Sequence, residues 1–480
     1  DNTSAVERRR NEQSLQLCVE DLRDKDARAV FKNVSQDMVN YGRIKMFLHG
    51  DSQDNLAPGE VTAFLRIGTD FTENYYEIEV PLTMTPSGMF SPRDIWPEEN
   101  EIDLAFSSLY EVKSRRNASN ANLSLPYTET VDRYNITVVG RPDLSTVQTL
   151  MIGVRNPSSP DLEPKSFCIW ANELRVTDFD SKSGIAANAR LDAQLADLGN
   201  VSASIRHSGI GFGGIADKIS DRNREKTTQY DISTSLKLGK FFPENWGIEL
   251  PAYFSLENSR SIPQYDPLDP DLPLEDVLNS FETKEERDSY YDKVVDQSKR
   301  RSFNFSNVRK RRVNADAPKR IYDIENLSFT YAYNEITRSN INTASYDYKN
   351  YRGAVTYSYQ PKEWFIEPFK NIGFLSSKWL QIIKEINFNL VPNSITVNGN
   401  VNRSFLKTQL RNSDLGTEGI DPYFEKSFTF DRSYAVNWNL TKALTLDYFA
   451  NVNAIIDEPE GDINTDVKRD SVWTNFKNFG

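Results

Sequence analysis

The chain has 480 residues, 38% hydrophobic, 12% aromatic and 26% charged, and a formal net charge of −12. Mean hydropathy is −0.59 and no apolar run approaches the ~20 residues of a spanning helix, so helical membrane insertion is excluded, whereas a barrel strand needs only ~10 residues with one apolar face. The acidic balance argues against a nucleic-acid surface, which needs clustered excess Lys and Arg.

The chain opens on Asp1-Asn2-Thr3, without a basic-then-apolar leader, and stops at Phe479-Gly480 in polar sequence; it reads as a stretch of something longer. Arg8-Arg9-Arg10, Lys299-Arg300-Arg301 and Arg309-Lys310-Arg311-Arg312 are local basic runs, expected as solvated turns or contacts with anionic lipid headgroups. The two cysteines, Cys18 and Cys168, could pair in an exported protein and tie an N-terminal domain shut; the alternative is two buried apolar thiols.

From Ser14 to Asp180, short apolar or alternating runs separated by turn chemistry suggest a β-sandwich. In NYYEIEVPL, from Asn74, the residues Tyr76, Ile78 and Val80 fall on one side and Glu77 and Glu79 on the other, the period of two of a half-buried strand. Between Asp26 and Asn40 the spacing of Ala27, Val30, Phe31, Val34 and Met38 predicts a helix packed on the sheet. Trp96 and Trp170 could stack on a sugar ring, although a sandwich tryptophan is more often core, and no metal-ligand cluster supports a lectin.

From Gly184 onward the alternation is more regular. TTQYDISTSLKLG places Tyr230, Ile232, Leu236 and Leu238 against Asp231, Ser233, Ser235 and Lys237, and GIELPAYFSLE repeats the pattern. Phe428, Phe430, Tyr434, Val436, Trp438 and Leu440 keep one parity, broken by Arg432, longer than the five or six residues usual in soluble sandwiches. About ten such strands are expected, near 186–192, 199–206, 229–238, 247–256, 301–308, 325–333, 346–359, 394–406, 427–440 and 443–454. Short turns alternate with long polar loops at 207–228, 257–300, 334–345 and 407–426, the asymmetry of outer-membrane barrels. The linker 360–393 is the exception, its Trp364, Trp379, Leu380, Ile382 and Ile383 able to form an amphipathic interfacial piece.

Alternate Asn, Ser, Thr, Asp and Arg side chains must face water, which implies a wet lumen, and unpaired strand edges imply further strands elsewhere. Within 257–300, Pro263, Pro267, Pro270 and Pro273 fix an extended path before a predicted helix from Glu275 to Val295. YDPLDPD lacks the spacing and central Gly of an EF-hand calcium loop. His49 and His207 are the only imidazoles and neither lies in a nucleophile-elbow or metal motif, so no catalytic, cofactor or metal residues are expected.

Seven motifs, in order along the chain, carry a resemblance. RIKMFLHG (Arg43 to Gly50), IWPEENEIDL (Ile95 to Leu104), MIGVRNP (Met151 to Pro157) and IWANELRVTDFD (Ile169 to Asp180) lie in the first part. YDPLDPD (Tyr265 to Asp271), YNEITRSN (Tyr333 to Asn340) and NLVPNSITVNGNVNRSF (ending at Phe405) lie in the second. With these the sequence resembles the SprA/Sov family, the giant outer-membrane translocon of the type nine secretion system of Bacteroidota. The resemblance implies a single-chain barrel of many strands with a wide pore for folded cargo, such as gliding adhesins. It further implies a PorV-like lateral-gate partner, a periplasmic plug and outer-membrane lipids as neighbours, and no catalytic residues.

The expectation is therefore an all-β chain. A jelly-roll-like β-sandwich with one helix over 1–180 precedes a partial, many-stranded antiparallel transmembrane β-barrel over 181–480, with loops at 207–228, 257–300 and 407–426. If the short turns are periplasmic, the sandwich lies on the extracellular side as a cap. The competing readings are a soluble or surface-attached lectin- or adhesin-like sandwich protein, and another large outer-membrane transporter barrel.

Overall fold

The computed structural model describes residues 13–458 and 461, apart from 55, 87, 90, 120, 182, 219–220, 315–316, 374–376, 378 and 413–418. The run Arg8-Arg9-Arg10 and the C-terminal Phe479-Gly480 lie outside the described residues. The chain is all-β in character and divides into two compact units. The first comprises Asp1–Ile185, Ile210–Glu225 and Pro263–Tyr291; the second comprises Ala186–Gly209, Lys226–Ile262 and Asp292–Gly480.

The two large sheets of the first unit are built on ten strands: β1 (Leu15–Leu22), β2 (Ala27–Gln36), β3 (Tyr41–Asp51), β4 (Thr62–Gly68), β5 (Tyr75–Pro81), β6 (Ile102–Ala105), β7 (Tyr127–Val131), β8 (Tyr134–Val139), β9 (Val147–Arg155) and β10 (Lys165–Phe179). They form a four-stranded sheet, β1-β10-β3-β6, and a six-stranded sheet, β2-β9-β4-β5-β8-β7, with antiparallel neighbours throughout. Both sheets send alternate side chains into one core. Ile44, Met46, Leu48 and Ile169 come from the smaller sheet and Leu65, Ile67, Tyr76, Ile78 and Val138 from the larger. This is the sandwich that the period-two runs predict.

On the outer face of the larger sheet, Glu77 is buried without being apolar. It accepts from Arg66 Nε at 2.5 Å and Arg155 at 2.8 Å, while Arg155 also pairs with Glu79 at 2.7 Å. Phe64 lies across Gly153, where a Cβ would meet its ring at 2.3 Å. Cys18 and Cys168 are disulfide-bonded, joining edge strand β1 to β10.

Two helix expectations are corrected. Ala27–Gln36 is not a helix but edge strand β2, paired with β9 from Ala27↔Arg155 to Gln36↔Val147. Its apolar residues are divided between faces: Val30 is in register with Ile152 and Val34 packs on the core, whereas Phe31 is on the other side against Phe71 at 4.8 Å. Split occupancy of both faces mimics helical spacing. The single helix expected from Glu275 to Val295 is two, Leu274–Asn279 and Lys284–Val294. The Thr283 hydroxyl accepts from Glu286 N at 3.2 Å and donates to its carboxylate at 2.8 Å, a capping arrangement that starts a new helix.

The second unit is an antiparallel meander. Its strands are Ala186–Leu195, Gly199–Ser208, Glu225–Lys237, Pro251–Pro263, Asp296–Lys310, Leu327–Ser339, Thr343–Tyr359, Ser394–Leu410, Tyr423–Thr441 and Leu444–Ile455, paired in chain order. Ile248–Glu249 adds a short pairing to Asp296–Lys310. Several strands outrun their expected limits, so the loops expected at 207–228, 257–300 and 407–426 narrow to 209–224, 264–295 and 411–422, and two further expectations change. The loop expected at 334–345 shrinks to a turn at 340–342, because the alternation continues to Ser339 and resumes at Thr343. Lys299-Arg300-Arg301 lies within a strand rather than a turn, Arg301 facing Glu335 across the ladder. The sheet ends at Ala186–Leu195 and Leu444–Ile455, and no closed barrel forms among the described residues.

Candidate functional site

Two arrangements stand out: a two-faced wall in the second unit and a buried polar lock in the first.

The wall follows from register. Directly paired residues share a face, so rows can be followed across the sheet. Ser255, Ser302, Asn334, Asn350, Ser404 and Ser427 form one unbroken row over six strands. Arg352–Asn402–Thr429 and Ala354–Asn400–Asp431–Asn453 continue that face, as do Asp192–Ser202–Ser233 at the other end of the meander. Their side chains bond to one another: Arg352 Nε donates to Asn400 at 2.9 Å, Asn350 to Asn402 at 3.1 Å, and Asn398 to Ser433 at 3.0 Å.

One residue along each strand, the rows are of another kind. Ala252–Phe305–Tyr331–Gly353–Val401–Phe430–Ala454 is one, and Phe254–Phe303–Tyr333–Tyr351 another. Polar intrusions on this face include Arg403, Arg432, Lys407, Lys426, Asp347 and the group Arg301, Glu335 and Lys349. Some of its apolar members, Ala252, Phe428 and Phe430 among them, are buried, but others are not packed into an interior. Leu191 is 63% exposed, Tyr331 45% and Val355 42%, and the hydrophobic core cluster consists of first-unit residues.

Strand length follows the same logic. These strands run from 10 to 19 residues; at ~3.3 Å per residue the longest spans roughly 60 Å. A tilted bilayer crossing needs only ~9–11 residues.

The lock joins the segment Pro263–Tyr291 to the sandwich within the first unit. Asp271 and Lys113 both have 0% side-chain exposure and are 2.6 Å apart. Tyr76 OH donates to the other Asp271 oxygen at 2.6 Å, and Lys113 Nζ also donates to Pro142 O at 2.9 Å. Asp269 lies 3.2 Å from Lys113 and accepts from Asn117 at 3.0 Å, while Asp266 accepts from Tyr290 OH at 2.6 Å. Burial raises the pKa of Asp271, against the opposing pull of Lys113; burial likewise raises that of Asp266. Burial and the Asp271 charge push the Tyr76 phenol far up, so it stays a donor.

These aspartates are the acid cluster of YDPLDPD. A lysine, two tyrosines and an amide satisfy them, and no metal-holding group of His, Cys, Asp or Glu occurs among the described residues. Lys113 and Asn117 lie on a helix, Phe106–Ala118, that sequence reading missed. Its signal was present: Phe106, Leu109, Val112 and Arg116 recur at spacings of three and four, and all are buried.

The other singled-out residues are placed as follows. Trp96 and Trp170 are half-buried outside the core cluster and flank His49, with ring centroids at 6.0 and 5.0 Å. His49 Nδ1 lies 2.7 Å from Ile95 O, and His207 Nδ1 lies 2.9 Å from Thr228 Oγ1.

Residues 1–278 match the family model SprA_N, described as a motility related/secretion protein. The chain belongs to this family. No curated protein matches it. The SprA_N match takes in the sandwich, the first four long strands of the meander and the segment carrying Asp266, Asp269 and Asp271. Membership thus covers both the lock and the start of the wall, and agrees with the motif-based resemblance.

Proposed function

We propose that the chain is part of the wall of a large outer-membrane, protein-conducting β-barrel that exports folded proteins to the cell surface, and that it does no catalysis. The supporting observation is the meander's unbroken polar row from Ser255 to Ser427 backed by aromatic and aliphatic rows of which Leu191, Tyr331 and Val355 are exposed. A sheet with so large an exposed apolar face is unstable in water and stable against hydrocarbon, while its other face suits an aqueous lumen. Membership in a motility and secretion family supports export as the task. The Cys18–Cys168 disulfide fits a protein that matures in an oxidising compartment.

In this reading secreted cargo passes the Asn- and Ser-rich face, outer-membrane lipids cover the aromatic face, and further strands pair with the two sheet edges. A PorV-like gate partner and a periplasmic plug complete the assembly, the sandwich lies on the extracellular side, and nucleic acid has no part. The experiment is to fractionate cells making the full-length protein and to follow secreted proteins when it is deleted. Outer-membrane location with cargo trapped in the periplasm is the expected result. Outer-membrane location with normal secretion would point to another transporter barrel, and a soluble location to a surface-binding sandwich protein.

A further inference from the structure

The connection 360–393 joins Thr343–Tyr359 to Ser394–Leu410, and its polar and apolar groups are sorted by direction. The polar groups fasten it to neighbouring strand ends. Asn389 is buried; its Oδ1 accepts from Trp364 N at 3.2 Å and its carbonyl accepts from Trp438 Nε1 at 3.0 Å. Asn393 donates to Glu363 at 2.5 Å, and its Oδ1 accepts from Asn439 N at 2.6 Å. Lys442 N donates to Asn387 at 2.6 Å, and its ammonium pairs with Glu367, which also holds Lys370. Phe365–Ile366 pairs with Phe388–Asn389, closing the connection on itself.

Among the described residues of the connection, several large apolar groups are left exposed. Trp379 is 91% exposed and Ile382 84%, with Trp364, Ile383, Phe388 and Leu390 also exposed. Large apolar side chains left in water on a segment held in place by polar contacts call for an occupant. Trp438 identifies it: on Tyr423–Thr441 it shares parity with Phe430, Tyr434 and Val436, so the fastened connection continues directly from the aromatic face of the wall.

We propose that this connection is a monotopic anchor whose Trp379–Ile383 turn lies in the headgroup–acyl boundary of the bilayer, fixing the depth at which this end of the wall sits. The proposal rests on the reading of the meander as a membrane wall. Its chemistry is that of the interface: indole rings prefer the boundary between water and hydrocarbon, and Ile side chains reach ~5–10 Å beyond it. Lys370 and Lys442, held beside Phe365 and Glu367, suit the anionic headgroup layer.

The test uses full-length protein reconstituted in phosphatidylcholine–phosphatidylglycerol vesicles, with a fluorescent label sensitive to polarity on Ile382→Cys and, as references, on Val355→Cys from the aromatic face and Asn334→Cys from the polar face. Unsubstituted protein gives the background. The expected result is blue-shifted emission at 382, quenched more by nitroxide lipids labelled near the headgroup than by deep ones, with deep quenching at 355 and none at 334. Water-like emission at 382 with lipid quenching at 355 would overturn the anchor and leave the wall standing. Blue-shifted emission at 382 that no nitroxide lipid quenches would assign the patch to a protein partner and also overturn it. Water-like emission at both 382 and 355 would remove the wall and the anchor together.

Discussion

Lys113 and Asp271 meet at 2.6 Å across 158 residues of sequence, each without solvent exposure. The segment that supplies Asp271 lies between two strands of the meander, yet it completes the packing of the sandwich unit. A buried pair of this kind stabilises little over a well-packed apolar pair but is costly to break on one side, because the remaining charge keeps its desolvation penalty.

Lys113→Ala is therefore expected to destabilise the sandwich by about 3–5 kcal/mol. The double variant Lys113→Met, Asp271→Leu should recover most of that loss. Urea-dependent pulse proteolysis of the full-length protein reads both; equal losses in the single and double variants would show that packing, not the unpaired charge, dominates.

Gly153→Val should cost about 1–3 kcal/mol, since any Cβ there meets the Phe64 ring at 2.3 Å and Ala29 Cβ at 2.7 Å. Adding Phe64→Ala opens the space, so part of the loss should return. The same unfolding measurement decides it, and a Gly153→Val protein as stable as the parent would contradict the described packing.

Cys18→Ser removes a cross-link closing a loop of 150 residues, a loss of about 2–5 kcal/mol. Only two residues of β1, Val19 and Leu22, are buried, so the strand should fray from β10 first. Hydrogen exchange of residues 15–22 checks this: unchanged protection would mean that the ladder alone holds the edge.

Val355→Arg and Asn334→Arg should differ sharply although both residues lie within paired strands of the same sheet. On a lipid face arginine costs about 2–4 kcal/mol near the bilayer midplane; on a lumen face it costs little. Urea titration of the reconstituted protein compares them, and equal effects would count against the assignment of the two faces.

Asp70 provides a pH signature. Burial alone would raise its pKa, but N–H donors of Glu73, Thr72 and Asn74 and the Asn74 side chain outweigh that and bring it to about 2. A carboxyl depressed on folding stabilises above its unfolded pKa and loses that contribution as pH falls through the folded one. Stability from this turn should drop between pH 3.8 and about 2, and Asp70→Asn should flatten that part of the profile in acid unfolding.

Much of the second unit was legible because its strands carry polar side chains on one face and largely apolar ones on the other. Tyr230 and Ile232 against Asp231 and Ser233 reveal face and register without reference to any neighbour, and each of the ten expected strands overlaps one in the structure. Strand ends were less legible: beyond the apolar stretch the ladder runs on through charged residues such as Lys299 to Arg301, held by backbone pairing to Thr337, Ile336 and Glu335. In the first unit the same reasoning gave sandwich strands but misread β2, whose apolar residues serve both sides of an edge.

By itself, then, the sequence determined the all-β class, the two-faced strands and the family, because alternation and short motifs are local properties. Tertiary structure alone decided that Cys18 meets Cys168, that YDPLDPD seats Asp271 on Lys113 and Tyr76 rather than a cation, and that the 360–393 connection turns its tryptophans outward. These depend on which distant groups share a dry site. That is settled by the desolvation cost of leaving any of them unpaired, a quantity no stretch of neighbouring residues contains.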